Sequence, residues 1–88
     1  MATRMIGKVI GLAVDRDGTS IVLDNDPSLG PKDNQWRLKL DHSNYNALYS
    51  LALAAAANRW TLMIRIEGDG QIDPALEAGI RHMGVEWK

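Results

Sequence analysis

No cysteine and no phenylalanine occur in this chain of 88 residues, and it holds only 3 prolines. Without cysteine there are no disulfide staples, no thiolate metal ligands and no thiol nucleophile. Without phenylalanine the aromatic content falls to 3 tryptophans and 2 tyrosines, large side chains whose commoner role is to anchor a core or an interface. A basic patch is missing as well. Lys8, Arg16, Lys32, Arg37, Lys39, Arg59, Arg65 and Arg81 stand singly, and the net charge is −1, which lowers the case for nucleic acid. No apolar run is long enough, or free enough of Asn and Ser, to span a bilayer. The N-terminal stretch carries a basic residue and a short apolar run that Gly7, Lys8 and Gly11 interrupt, with no small-residue cleavage pattern. It reads as a strand, which puts the chain in the cytoplasm as the sequence stands, or outside the cell if a signal peptide has been removed.

The most informative absence is local. Charged residues make up 24% of the chain, yet residues 43–58 (SNYNALYSLALAAAAN) contain none. A helix on a small monomer normally shows an apolar stripe and a charged face, and this one has no charged face. At 100° per residue, Leu48, Leu51, Ala52 and Ala55 make one stripe, which Tyr45, Tyr49, Leu53 and Ala56 extend sideways. Ala47, Ser50, Ala54 and Ala57 form the remaining face, small and uncharged. Small side chains let another backbone approach closely, so these four are the expected subunit interface of a homo-oligomer. The plainer reading is alanine used for helix propensity on a face that meets water. Size favours association: one domain over residues 1–88 buries roughly 60–65% of its unfolded surface. Small chains gain from disulfides, metals or oligomers, and the first is excluded.

The rest of the chain is mostly strand. Residues 5–15 read as one long strand, apolar on both faces, with glycines at 7 and 11 that suit a bend or bulge. Asp17-Gly18 is a turn signal, and residues 19–24 (TSIVLD) close an antiparallel hairpin. Residues 25–34 (NDPSLGPKDN) have loop chemistry. Residues 35–40 (QWRLKL) alternate, with Trp36, Leu38 and Leu40 on one side and Gln35, Arg37 and Lys39 on the other. Asp41 or Ser43 is expected to cap the helix, and Asn58 to stop it. Residues 60–67 and 80–88 read as two further strands, with a capped single helical turn at Asp73-Pro74 between them. The class is therefore mainly β with one helix (α+β), in the order β-β-β-α-β-β, which is that of a five-stranded OB-like barrel.

The segment NYNALYSLALAAAANRWTLMIRI resembles small bacterial toxin-type B subunits and their relatives, which share a tyrosine- and alanine-rich helix followed, after a brief break, by an apolar strand. The resemblance covers about the C-terminal half. It implies an OB barrel, a ring assembly, usually a pentamer with its helices lining the centre, and glycan recognition. The cysteines and export signal of such subunits are absent from this sequence.

Chemistry-bearing motifs are few. The stretch RIEGDGQIDPAL (residues 65–76) mimics the end of a calcium loop through Asp69, Gly70, Ile72 and Asp73. Its register, however, puts Arg65 and Leu76 where acidic ligands belong. Asp15, Asp17, Asp24 and Asp26 flank turns and suit turn chemistry. Asp41-His42-Ser43 has the residue types of a triad, but adjacent residues cannot align nucleophile, base and orienter. His42 and His82 have no partners at zinc-ligand spacing. Among Trp36, Trp60 and Trp87, Trp36 is the one beside a polar loop. Asn34, Trp36 and Arg37 are thus the expected ligand-binding residues, for a glycan or another small polar ligand. The expectation is a noncatalytic binding and assembly module with no metal and no cofactor. The alternatives are a single-strand nucleic-acid-binding OB-fold protein using Trp36, Arg37, Lys39 and Lys8, and a structural, phage-type component with no ligand.

Overall fold

A computed structural model describes residues 4–68 and 71–86. The strands are β1 (Arg4–Gly7), β2 (Val9–Asp15), β3 (Gly18–Leu23), β4 (Gln35–Lys39), β5 (Thr61–Ile66) and β6 (Ala78–Glu86), with one helix, α1 (Tyr45–Asn58), between β4 and β5. They form a six-stranded mixed sheet in the order β1-β5-β6-β4-β3-β2. All pairings are antiparallel except β4 with β6, where Trp36 lies opposite Ala78 and Arg37 opposite Gly79. The chain is mainly β with one helix, as its alternation predicts.

The expected first strand is divided in two. Gly7 ends β1, and Lys8 turns the chain before Val9 opens β2. Asp24 holds this corner from the end of β3: its Oδ1 accepts the Lys8 N–H at 2.8 Å, and its own N–H donates to the Lys8 carbonyl at 2.9 Å. A Cβ on Gly7 would stand 2.7 Å from that same Oδ1, so only glycine admits the carboxylate here. The ladder count is therefore six strands, and β1 and β2 lie at opposite ends of an open pairing order in place of the expected closed five-stranded barrel. Ile10 is an extra residue at a bulge, since Val9 faces Leu23 while Gly11 faces Val22.

Gly18 closes the β2–β3 hairpin with φ of 143°, and a Cβ there would collide with the Leu38 carbonyl oxygen. The other ends shift by a residue or two from the sequence reading. Arg59 takes the left-handed conformation after α1 at φ 56°, while Asn58 stays helical and donates from Nδ2 to the Ala54 carbonyl. Neither Asp41 nor Ser43 caps the helix: Asn44 holds the N-cap position, with no side-chain bond of its own. Asp73 accepts the Ala75 N–H at 2.9 Å, so residues 73–76 make a capped turn that does not become a helix.

One core lies between the sheet and α1. Ile21, Leu23, Trp36, Leu38, Leu62, Ile64 and Ile80 are fully buried, and Leu48, Ala52 and Ala55 bring the helix onto them. Burial at roughly 25 cal/mol per Å² of apolar surface is what holds a helix with so few polar anchors in place. Leu40 departs from its expected side and stays 55% exposed, because β4 ends at Lys39.

Candidate functional site

The three expected ligand-binding residues do not share a surface. Trp36 has no exposed area; its β4 neighbours Gln35 and Arg37 face outward, so alternation sends the indole inward between Ile21 and Ala78. A ring with no exposed face cannot stack on a sugar or a base, and its Nε1 has no hydrogen-bond partner. Asn34 is also buried, at φ 52°, a left-handed conformation that asparagine tolerates. Its Nδ2 donates to the Leu23 carbonyl at 3.2 Å, and its Oδ1 accepts from Asn25 Nδ2 at 3.1 Å. Asn34 thus ties the 25–34 loop to the end of β3 and is not presented to a ligand.

Arg37 does lie on the outer face of the sheet, but it is engaged there. NH1 donates to Ser20 Oγ at 2.6 Å and NH2 to Asp15 Oδ1 at 2.6 Å. This charge-assisted contact holds the Asp15 carboxyl below its ordinary 3.8, helped by the Asp17 N–H. Reciprocally, the Asp15 carboxylate raises Arg37 above its ordinary value, with Asp17 and Glu77 adding to the field. An arginine so matched is a poor clamp for an incoming anion. For the nucleic-acid alternative, Lys39 meets Glu67 at 3.4 Å with both groups near half-exposed, which is a weak pair, and Lys8 is exposed.

His42 has a structural role. Its Nε2 lies 2.9 Å from the Arg81 carbonyl, and its Nδ1 lies 3.0 Å from the Asn44 N–H. A carbonyl only accepts and a backbone N–H only donates, so Nε2 carries the proton and Nδ1 is the acceptor. The ring thus fixes the residue just before the helix and links the helix start to β6, while no side chain caps the first turn itself. With both nitrogens committed to backbone, the ring is not a base for Ser43. His42, Ser43, Asn44, Tyr45, Asn46 and Ala47 line a shallow cleft of about 440 Å³ with Leu40. Asp26 caps the turn after β3, and the Ser28 hydroxyl, then its N–H, lowers the carboxyl below its ordinary range.

The four residues expected at a subunit interface lie toward the outer side of α1. Ala47, Ser50 and Ala57 are exposed, Ala54 is half-buried, and Leu53 stands 42% exposed among them. The tyrosines leave this face: Tyr45 and Tyr49 stack with ring centres 5.9 Å apart, and the Tyr45 hydroxyl meets the Thr19 hydroxyl at 2.8 Å. Trp60 is half-buried against the core. Trp87, Asp69 and Gly70 lie outside the described residues. Among the described residues no group of three or more His, Asp or Glu is placed to hold a metal, and no helix is long and apolar enough to cross a membrane.

No protein-family model, curated protein or solved structure matches this chain.

Proposed function

We propose that the protein is a noncatalytic, OB-like assembly module that associates with copies of itself through the outer face of α1. The observation that carries this reading is the uncharged strip of Ala47, Ser50, Leu53 and Ala57, exposed on a helix whose other side is in the core. A face that met only water would ordinarily carry Glu or Lys. The OB-like part rests on connectivity: β1 and β2 end the ladder order, yet only Lys8 separates them in the chain. Counted as one bent strand, they leave five strands in the neighbour order expected of an OB-like sheet, with β4 beside β6 in parallel.

At 1.5 Å per residue α1 is about 21 Å long, too short for one helix face to supply the roughly 800 Å² per partner of a stable interface. Ile10 and Val14 on β2, exposed at 67% and 58%, are further apolar side chains open to a partner. A ring, pentameric in the version the toxin-subunit resemblance implies, satisfies this by giving each copy two contacts.

Light scattering at micromolar concentration tests the reading, and a monomer mass overturns it. Ser50→Glu is the sharper variant, because Ser50 is exposed and the monomer fold tolerates a charge there. In an oligomer it buries an unpaired carboxylate, and the mass should drop to that of one chain. An unchanged oligomer would place the interface elsewhere.

A further inference from the structure

The other half of the sheet carries an arrangement that the assembly reading does not use. Register places Arg4 of β1 directly opposite Arg65 of β5, and Arg65 directly opposite His82 of β6. Ile64 and Ile66, on either side of Arg65, are buried, so the row lies on the outer face. Neighbouring strands stand about 4.8 Å apart, so two guanidinium groups and an imidazole are aligned over roughly 10 Å. Like charges directly opposite one another destabilise a sheet.

Nothing in the chain relieves them among the described residues. The two ion pairs there are Arg37–Asp15 and Lys39–Glu67, and Glu67, the acid just past the end of β5, is the one that Lys39 meets. Arg65 is itself half-buried, and its Nε is inaccessible to solvent and has no hydrogen-bond partner. The covered Nε is out of reach of an incoming ligand, so an acceptor from outside meets the two terminal nitrogens of the guanidinium. The next outward row is Ile6, Met63 and Gly84. Ile6 is 52% exposed, Met63 half-buried, and Gly84 offers no side chain, leaving a short apolar shelf beside the cations.

We infer that this face binds a phosphate ester. The phosphate oxygens accept from the forks of Arg4 and Arg65 and from the His82 ring, and the organic group lies on Ile6 and Met63. Guanidinium suits this ligand because its planar pair of N–H groups meets two oxygens of one phosphate. The site contains no residue of α1, so it stands whatever the oligomeric state.

Thermal melts and titration calorimetry at fixed ionic strength, with inorganic phosphate or phenyl phosphate replacing chloride, test it. Both probes should raise Tm and bind, phenyl phosphate severalfold more tightly because of the shelf. Arg4→Gln, at an exposed edge position, should fold like the parent and bind about tenfold more weakly or worse, and Arg65→Gln likewise. Phosphate also stabilises proteins generically by exclusion from their surfaces. A rise in Tm that persists undiminished in the Arg4→Gln, Arg65→Gln double variant, or an absence of binding to the parent, overturns the inference. Equal affinity for the two probes removes the shelf from it.

Discussion

The two halves of the sheet share a core and treat charge in opposite ways. On the outer face of β2–β3–β4, Arg37 is locked between Asp15 and Ser20, and the loop that feeds β4 is closed by Asn25 and Asn34. On the outer face of β1–β5–β6, Arg4, Arg65 and His82 stand in register with no partner among the described residues. A polar group satisfied within the chain contributes to the fold and has little left for a ligand. One left unsatisfied costs stability and retains its full capacity to bind. The residues that looked most like a ligand site in the sequence belong to the first kind, and the residues that can bind an anion belong to the second.

Three changes test how deep this division runs. Trp36 lies under both halves, with Ile21 of β3 on one side and Ala78 of β6 on the other. Trp36→Ala should cost about 3–5 kcal/mol through the cavity it leaves, and urea unfolding should remain one transition. Two separate transitions would mean that the halves have independent cores and the contrast compares two units. Asn34→Ala comes next, at about 1–3 kcal/mol. It orphans the Leu23 carbonyl and puts alanine at a left-handed position. A change of a few tenths in the same urea experiment would show that the loop is not held by this side chain.

The smallest effect concerns the exposed Arg37–Asp15 pair. Asp15 is held below its ordinary 3.8 in the fold, so the stability it contributes is fully present above that value. It is lost as pH falls through the lowered folded value. Asp15→Asn should flatten the part of the stability profile below pH 3.8, with little effect at neutral pH because exposed pairs are weak. Comparing parent and variant isolates Asp15 from Asp26, which is shifted in the same direction by Ser28. An identical acid limb in both proteins would mean that Arg37 is not matched in solution, and the two halves would then be alike.

Much of the fold was legible in the sequence because its signals are local. Alternation in QWRLKL and TLMIRI put Leu38, Leu62, Ile64 and Ile66 in the core, and Asp17-Gly18 marked the hairpin. The stripe of Leu48, Ala52 and Ala55 named the buried side of α1. The same rule already pointed Trp36 inward with Leu38; its place beside a polar loop was the weaker signal, and giving it to a ligand went against its own strand. The division of the first strand at Lys8 was less visible. Glycine at 7 signals a bend, but the side chain that holds the bend, Asp24, comes from the end of another strand. His42 was obscured for a similar reason, since one of its partners is a carbonyl on β6, far along the chain.

By itself, then, the sequence determined which segments are strand, turn and helix and which side of each is apolar, because periods of 2 and 3.6 residues are properties of neighbouring positions. Tertiary structure alone decided which polar groups meet. Arg37 finds Asp15, and Arg4 finds Arg65 and His82, through pairings between distant strands whose register is set by the shared core. That register silenced one arginine and left two others, one exposed and one half-buried, with no ion-pair partner among the described residues.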